Sequence, residues 1–555
     1  MAAFTGTAGN DTLTGTSAAD TFNLIQGGED TATGLAGNDT FSLGHTLDAG
    51  DAIDGGDGFD TLNLRGDYSG GVTFGATTVT NIERIALGAG FDYSLTSNDA
   101  TVAAGATMTV DASALGAGDA LTFNGSAETD GHFDFIAGAG GDTITGGNAG
   151  DTFDMRQASG ADHFTGGAGD DLILGGANYN NNVVADGGGG HNVLRLDGDY
   201  SSTGETDNSL TLTNENSANI DTIQVDRGHS YDITANGLDA GRALFVDGSQ
   251  LGASDVLTFN GTDFGTQGGA KFYITGGAGD DVLAGGRQAD QIDISHGGND
   301  TVDGASGNDL IMAGAALTGA DHIDGGNGSD TVEFAGHYDL TLTSTTIRNV
   351  ETFLFDDGHS YNLTTNDGTV PTGGALTADA SALTGANLLV FNGSAETSGA
   401  FTLLGGAGGD NLTGGQAGDA LQGNGGADTL TGGAGADIFA YTDASQSNSN
   451  ATDHVTDFDA DVDVFRFPFA VSSVTVVSAP LDNLSGLGVA IGDGLTANGA
   501  IVLKANTGLL AGHVYLIVDA NGDALYTPGT DYLINITGAQ HVTDFTTSDF
   551  ITTKA

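Results

Sequence analysis

Single apolar residues recur every nine positions along much of the chain. In the clearest stretch, Leu412, Leu421, Leu430 and Phe439 each follow an Asp by two residues, and each Asp stands behind a glycine-rich segment. Successive side chains of a strand face opposite sides, so a three-residue strand buries only its central residue. Glycine permits tight turns with positive φ. The pattern predicts very short strands joined by turns and wound into a coil.

The repeat unit around these residues reads G-G-x-G-x-D-x-U-x, where U is apolar. This nonapeptide is typical of parallel β-rolls that bind Ca²⁺. If two nonapeptides form one coil, carboxylates two repeats apart lie on the same edge, so Asp410 stacks near Asp428 and Asp419 near Asp437. Turn carbonyls and carboxylates are the hard oxygen ligands that Ca²⁺ prefers.

Three other blocks carry the same two edges, with ladder steps slightly longer than two nonapeptides. Asn192 stands where an Asp is expected, which puts the site there in doubt. The predicted calcium ligands of the four blocks are Asp11, Asp20, Asp30, Asp39, Asp51 and Asp60, then Asp142, Asp151, Asp162 and Asp171, then Asp281, Asp290, Asp300, Asp309, Asp321 and Asp330, and finally Asp410, Asp419, Asp428 and Asp437.

A longer repeat separates the blocks. The marks Asn81-Ile-Glu, Asn219-Ile-Asp and Asn349-Val-Glu recur in three inserts whose polar and apolar residues alternate as in strands. We expect the inserts to be wider coils of one solenoid rather than separate sandwiches. The predicted organisation is calcium blocks at 1–62, 135–192, 275–333 and 403–440, inserts at 63–134, 193–274 and 334–402, and a C-terminal β cap and secretion region at 441–555. The predicted fold class is therefore all-β, a parallel β-roll or β-solenoid.

Charge and composition narrow the partners. The 555 residues include 73 acidic and only 12 basic side chains, a formal net charge of -61, so a compact fold needs bound cations. Too few basic residues are present to neutralise nucleic-acid phosphates. Cys is absent, so metal rather than disulfides must staple the fold. No stretch has the length of a membrane span, and residues 1–6 show no cleavable signal peptide.

The repeats resemble those of the RTX (repeat-in-toxin) family, and a C-terminal segment strengthens the resemblance. Asp453-His-Val-Thr-Asp-Phe458, followed by Asp463-Val-Phe465, is similar to the D-x-I-x-D-F segment that follows the last RTX run in that family. The resemblance implies an uncleaved C-terminal signal, export by a type I secretion apparatus, and folding that waits for extracellular Ca²⁺. Such coupling is physically reasonable, since facing carboxylates repel until metal arrives.

One further loop is a candidate calcium site. Asp519, Asn521 and Asp523 occupy positions 1, 3 and 5 of a calcium-loop pattern, and Asp531 follows. The pattern departs at position 6, where Ala524 replaces Gly, and at position 12, which is Thr530. A polar turn between two strands explains the segment equally well.

Catalytic motifs are not found: the sequence contains no HExxH, GxSxG, P-loop or Cys nucleophile. We therefore predict no catalytic residues and a non-enzymatic protein. The expected function is a secreted, extracellular structural component of a cell surface or matrix, such as an S-layer or biofilm protein, which self-associates or binds surface polysaccharide. The alternatives are a polysaccharide-acting enzyme on a β-helix and an RTX adhesin or toxin.

Overall fold

The protein is described by a computed structural model covering residues 1–201, 208–262 and 269–552. Its contacts divide it into two compact units, 1–279 and 280–555. Both are built almost entirely from short strands. The described residues contain one α-helix, Leu487–Ile491, and three 3-10 turns, Leu484–Gly486, Gly492–Gly494 and Thr547–Asp549. The prediction of an all-β parallel solenoid is confirmed.

One side of the first unit is a continuous parallel sheet. Each strand pairs with the strand one coil before and one coil after it, as a solenoid requires. In chain order its strands are Ala3–Thr5, Thr21–Asn23, Thr40–Leu43, Thr61–Leu64, Arg84–Leu87, Thr107–Asp111, His132–Ile136, Thr152–Asp154, Leu172–Leu174, Val193–Leu196, Thr222–Val225, Ala243–Asp247 and Lys271–Thr275.

The opposite side of this unit is divided into three parallel groups. The first comprises Thr12–Thr14, Thr31–Thr33, Ala52–Asp54 and Val79–Thr80. The second comprises Tyr68–Thr73, Tyr93–Thr96, Leu121–Asn124, Thr143–Thr145, His163–Thr165, Val184–Asp186 and Ser217–Ala218. The third contains Leu210–Leu212, Tyr231–Ala235 and Leu257–Asn260. The breaks fall where the wider insert coils begin.

The second unit repeats this plan. One side is a parallel sheet of Gln291–Asp293, Leu310–Gly314, Thr331–Phe334, Thr352–Phe355, Ala375–Asp379, Ala400–Leu404, Ala420–Gln422, Ile438–Ala440, Val464–Phe467 and Phe550–Thr552. The other side begins with Val282–Ala284, Thr301–Asp303, His322–Asp324 and Ile347–Arg348, beside the two-residue strands Ser306–Gly307 and Asn327–Gly328. It continues with Tyr338–Thr341, Tyr361–Thr364, Leu389–Asn392, Asn411–Thr413, Thr429–Thr431 and His454–Val455.

The C-terminal part of the second unit changes direction. After His454–Val455 the sheet continues through Tyr532–Asn535, Val514–Val518, Ala500–Thr507 and Val474–Pro480. The pairings of Val514–Val518 with its two neighbours are antiparallel, whereas Val474–Pro480 pairs in parallel with Ala500–Thr507. A separate apolar cluster beneath this sheet includes Leu487, Ile501 and Leu533.

The inserts are coils of the same solenoid. Arg84–Leu87 of the first insert pairs in register with Thr61–Leu64 of the preceding calcium block, and Thr107–Asp111 pairs with His132–Ile136. The expectation of wider coils, rather than separate sandwiches, is therefore correct. Paired tyrosines mark each insert: Tyr68 stacks on Tyr93, and the Tyr93 hydroxyl lies within hydrogen-bonding distance of the carbonyl oxygens of Leu64 and Gly88, at 3.0 and 2.8 Å.

The core is a column of apolar side chains, to which a three-residue strand contributes one and many longer strands contribute two. Phe22, Phe41, Leu62 and Ile85 occupy equivalent places on successive coils and are almost completely buried. Flanking residues such as Thr40 and Thr61 face outward. A column this narrow buries little apolar area per coil, so the coils depend on what holds their turns together.

Candidate calcium centres

The predicted Asp residues lie at the solenoid turns and form continuous ladders. Asp428 lies one coil after Asp410, and its Oδ1 accepts a hydrogen bond from the Asp410 backbone N–H at 2.7 Å. Asp437 accepts from Asp419 in the same way at 2.8 Å. Equivalent bonds join Asp11 to Asp30, Asp30 to Asp51, Asp20 to Asp39, Asp39 to Asp60, Asp142 to Asp162, Asp151 to Asp171, Asp281 to Asp300, Asp300 to Asp321, Asp290 to Asp309 and Asp309 to Asp330.

The first ladder members of two blocks attach to the preceding insert. Asp142 and Asp151 accept from the backbone N–H groups of Leu121 and Phe133, at 2.8 and 2.7 Å. Asp410 and Asp419 accept from the matching insert residues, Leu389 and Phe401. Insert and calcium block are therefore connected by the same hydrogen bond that connects successive coils.

The second carboxylate oxygen, Oδ2, separates two forms of turn. In the closed form, the N–H of the residue four positions before the Asp donates to Oδ2. Gly415 donates to Asp419 at 2.6 Å, and Gly138 donates to Asp142 at 2.8 Å. Asp151, Asp290 and Asp410 are held in the same way. Closed turns satisfy both oxygens of the carboxylate from within the protein.

In the open form, the residue four positions before the Asp has a left-handed conformation. Its N–H turns away, and Oδ2 is left buried without a hydrogen-bond partner. Gly167 (φ 115°) precedes Asp171 in this way, and Ala305 (φ 67°) precedes Asp309. Buried, unpartnered Oδ2 atoms follow such a left-handed residue at Asp39, Asp60, Asp171, Asp309, Asp330 and Asp428; Asp162 also has one, although Ala158 before it is not left-handed. A buried anionic oxygen without a partner is costly unless a cation neutralises it.

Threonine replaces the turn amide, or adds to it, at three ladder positions. The N–H and hydroxyl of Thr16 both donate to Asp20 Oδ2, at 2.7 and 2.8 Å. Thr7 binds Asp11 through the same two groups, and Thr318 binds Asp321. Asp11 is also only partly buried. These carboxylates are already well supplied with donors.

The first glycine of each repeat faces a group of oxygens. A Cβ added to Gly166 would lie 2.0 Å from Asp171 Oδ2 and 2.5 Å from the carbonyl oxygen of Gly187, one coil later. At Gly304 the equivalent distances are 2.6 Å to Asp309 Oδ2 and 2.3 Å to the Gly325 carbonyl. Carboxylate and carbonyl oxygens therefore converge where no side chain fits. Such a set of hard oxygens suits Ca²⁺.

Burial makes these carboxylates poor anions in the absence of metal. Desolvation raises the pKa of Asp171, Asp300, Asp309 and Asp437 to about 7, and the charges of neighbouring ladder members add to this effect. The opposite occurs at the N-terminal Asp20, whose hydrogen bond from the Ala2 N–H lowers its pKa. The ladder interior therefore needs a cation far more than its N-terminal end does.

Three acidic residues of the inserts continue the ladders and were not predicted as site residues. Glu83 Oε2 accepts from the Asp60 N–H at 2.6 Å, and Glu351 Oε2 accepts from the Asp330 N–H at 2.8 Å. Asp221 does the same for Asn192. Each belongs to a triplet of the Asn-Ile-Glu type. The recurrence of this triplet in the three inserts was the sequence signal that could have identified these residues.

The Asn of each triplet completes the neighbouring turn. Asn81, Asn219 and Asn349 share φ values of 50–52°. A Cβ on Gly55 would lie 1.9 Å from the Asn81 carbonyl and 2.6 Å from Asp60 Oδ2. The insert thus supplies the carbonyl that another nonapeptide would otherwise provide.

The D-x-I-x-D-F-like segment also extends both ladders. Asp453 Oδ1 accepts from the Asp428 N–H and Asp463 Oδ1 from the Asp437 N–H, each at 3.0 Å. Asp453 is fully buried, and its Oδ2 has no hydrogen-bond partner. The burial of Asp428 beside this second carboxylate raises its pKa. The sequence pattern marks this segment as a family feature, but its spacing does not reveal that it ends the ladders.

The C-terminal loop brings only part of its predicted ligand set together. Carboxylate oxygens of Asp519, Asp523 and Asp531 lie within 4.8 Å of one another. The Asn521 Oδ1 instead accepts from the Asp523 N–H at 2.8 Å. Ala524, where the loop pattern expects Gly, has the left-handed φ of 63°. Backbone N–H groups also bind both oxygens of Asp519, as a polar turn would, so calcium binding here stays a prediction.

The twelve basic residues form no ladder of their own in the described ranges. Arg84 pairs with Asp111, Arg195 with Asp226, and Arg348 with Asp324, all on the outer faces of strands. Across the part of the chain that the structure describes, no helix is long and apolar enough to cross a membrane.

Comparison with known families agrees with this geometry. The peptidase M10 serralysin C-terminal family matches residues 270–552, and the RTX calcium-binding nonapeptide repeat matches residues 4–24, 26–44 and 158–181. No curated protein is a significant match. RTX nonapeptides bind Ca²⁺ at multiple sites, and the serralysin C-terminal region serves secretion rather than catalysis; together they indicate type I secretion and export from the cell. The chain belongs to the serralysin C-terminal family and is an RTX calcium-binding protein.

Proposed function

We propose that this protein is a structural component of a cell surface or extracellular matrix, such as an S-layer or biofilm protein, and that it folds and assembles on binding Ca²⁺ outside the cell. The observation that carries the proposal is the series of ladder carboxylates whose second oxygen is buried and unpartnered. These groups recur through both units, so metal binding is a property of the whole molecule rather than of one site.

The ligands in this proposal are the predicted Asp residues of the four calcium blocks, assisted by turn carbonyls. The open-turn residues, such as Asp171 and Asp309, hold the cation most directly because no protein donor competes for Oδ2. Bound Ca²⁺ would supply the positive charge that these oxygens lack. The Thr-bonded Asp11, Asp20 and Asp321 contribute less, and the Asp519–Asp523 loop is a separate, weaker site.

The proposed action of the chain follows from its charge. Before export the acidic side chains repel one another and the narrow core cannot offset that repulsion. Outside the cell, the ladder carboxylates and turn carbonyls would hold Ca²⁺, whose charge would offset the repulsion within a turn; because the ladder hydrogen bonds run only between neighbours, each ordered turn would then position the next coil. The result is a stiff acidic surface that Ca²⁺ can also bridge to a second copy or to an anionic surface polysaccharide.

The test uses purified full-length protein in EDTA and in millimolar Ca²⁺, with Mg²⁺ as the control cation. At pH 7.5 we expect circular dichroism to show the β signal only with Ca²⁺, and light scattering to show multimers that disperse on chelation. Unchanged β content in EDTA, or a monodisperse monomer at high concentration in Ca²⁺, would contradict the proposal. Cleavage of a polysaccharide would favour the enzyme alternative.

A further inference from the structure

The sheet of the C-terminal region ends in an unprotected strand, Val474–Pro480, here called the edge strand. It pairs in parallel with Ala500–Thr507 on one side, and within the described part of the chain no strand pairs with its other side. A strand with one neighbour presents a row of unpaired N–H and C=O groups, which another strand can bind. Natural edge strands are usually protected by charged side chains, by bulges or by very short length.

None of these protections covers most of the edge strand. Its sequence, Val-Thr-Val-Val-Ser-Ala-Pro, has no charged residue and is rich in strand-forming types. Pro480 lacks an N–H and lies beside a register irregularity, but both fall at the last residue, and alternate residues of the other six direct their backbone groups to the open side. Six residues span about 20 Å, as long as an ordinary strand.

The surroundings of the edge strand are almost neutral in a strongly acidic chain. Residues 467–518 contain two acidic side chains, Asp482 and Asp493, and one basic side chain, Lys504. The whole chain carries a formal charge of -61. Two copies approaching through other surfaces bring like charges together, whereas this surface carries almost none.

Exposed apolar side chains continue the surface beyond Pro480. Val489 is 89% exposed and borders an open depression of about 600 Å³ that Ala479 and Leu481 also line. Leu509 is 86% exposed, and its N–H donates to Asp482 Oδ1 at 3.0 Å, which places it next to the same depression. A single exposed apolar residue is ordinary, but these two border one depression beside the edge strand, and adjoining apolar groups of this kind are typical of an interaction surface.

We propose that the edge strand is a self-association site, where it pairs antiparallel with the edge strand of a second copy. Antiparallel pairing of identical strands is a two-fold interface, since a residue i of one copy faces a residue j of the other, and residue j of the first copy faces residue i of the second. The occupant is a second copy of the chain. Two copies repel each other through their acidic surfaces, and this nearly neutral surface is where they can approach. This inference rests on the proposed assembly function and assigns it a surface.

The first test is Thr475→Lys, which puts a charge at an exposed position of the edge strand. The matched control is Thr122→Lys, an equally exposed Thr in Leu121–Asn124, which has strand neighbours on both sides. Both variants change the net charge equally. By sedimentation of the Ca²⁺-loaded full chain, we expect dimerisation to weaken at least tenfold in Thr475→Lys and to stay near wild type in Thr122→Lys. Equal association of the two variants would overturn the proposal.

The second test uses the absence of cysteine from the chain. Only a Cys on or beside the two-fold axis can bridge two copies, so among the single variants Thr475→Cys, Val476→Cys, Val477→Cys and Ser478→Cys at least one should give an interchain disulfide under mild oxidation in Ca²⁺, whereas Thr122→Cys should stay monomeric on a non-reducing gel. If the wild-type protein assembles but neither test locates the contact at the edge strand, the proposed assembly function stands and the edge-strand site is wrong. If wild type never assembles, the function itself fails. Loss of cell-surface binding without loss of self-association would assign the edge to another partner and contradict the proposal.

Discussion

At the scale of single residues, the ladder shows what distinguishes a carboxylate from an amide. Asn192 occupies a ladder position, accepts from the Asp171 N–H at 3.0 Å, and donates through Nδ2 to the Asn219 carbonyl at 2.9 Å. The amide therefore keeps the backbone hydrogen bond, and its second group finds an internal partner. An Asp at an open turn keeps the same bond but leaves an anionic oxygen without a partner. A bound cation would be that partner, which explains why these positions carry Asp rather than Asn.

This comparison predicts the result of Asp309→Asn. The variant should fold, since its Oδ1 can still accept from the Asp290 N–H, but it removes a charged calcium ligand. We expect the Ca²⁺ midpoint of folding, followed by circular dichroism, to rise several-fold. Asp11→Asn is the matched control, because Thr7 already binds that carboxylate at a partly exposed position. Similar midpoints for the two variants would show that open turns hold no metal.

At the scale of the turn, position and conformation matter more than composition. The first glycine of a repeat leaves space for oxygens of its own coil and the next, and the second residue selects the open or closed form through φ. Leu35, Ala305 and Asn424 adopt the left-handed φ at that second position although they are not glycine. The stacked coils impose this conformation, at a cost of about 1 kcal/mol for each such residue.

Gly166→Ala tests the crowding at the first position. The added methyl group would collide with Asp171 Oδ2 and the Gly187 carbonyl, and we expect a loss of about 1–3 kcal/mol with a higher Ca²⁺ requirement. Gly118→Ala is the control, because nothing lies within 4 Å of the place that its methyl group would occupy, and its φ is not in the left-handed region. Thermal unfolding in excess Ca²⁺ would measure both, and equal melting temperatures would refute the crowded turn.

The sequence alone predicted the elements well and their finer states poorly. The nine-residue interval indicated the strands, the coil and the stacking of Asp410 on Asp428, because each depends only on local spacing. It did not show which Oδ2 atoms lack a partner, since that depends on φ values such as that of Ala305, which neighbouring coils determine. Glu83 and Glu351 were missed because the insertions before them break the regular ladder spacing. Their longer side chains nevertheless reach the position that a ladder Asp would occupy.

At the scale of the whole molecule, the dominant fact is the accumulation of negative charge along closely spaced coils. In the folded, metal-free chain, burial raises the pKa of Asp171, Asp300, Asp309 and Asp437 to about 7, from an ordinary value of 3.8. Between these values the folded chain holds protons that the unfolded chain has released. The stability of the metal-free fold therefore decreases as pH rises from about 4 to about 7.

The pH dependence should disappear when Ca²⁺ saturates the sites, because bound Ca²⁺ would keep these carboxylates ionised in the folded chain, as they already are in the unfolded chain. Protons and Ca²⁺ compete for the same carboxylates of the folded chain, so a metal-free chain that is folded at pH 5 should need more Ca²⁺ to load its sites than one at pH 7. In EDTA, by contrast, β content should be greater at pH 5 than at pH 7.5. Circular dichroism across pH, with and without Ca²⁺, would measure both pH dependences. A metal-free fold that becomes more stable on going from pH 5 to 7.5 would show that these carboxylates are not buried in the apo state.

The ladder hydrogen bond has a direction, and this gives the coil two unlike ends. Each coil is completed by an oxygen from the coil that follows it, as Asp428 completes the turn of Asp410. Removing a coil from the N-terminal side frees a carboxylate, which water readily solvates. Removing a coil from the C-terminal side leaves a backbone N–H of the turn without its acceptor. The two ends of a ladder therefore present different groups, carboxylate oxygens on the N-terminal side and backbone N–H groups on the C-terminal side, where Asp453 and Asp463 accept them.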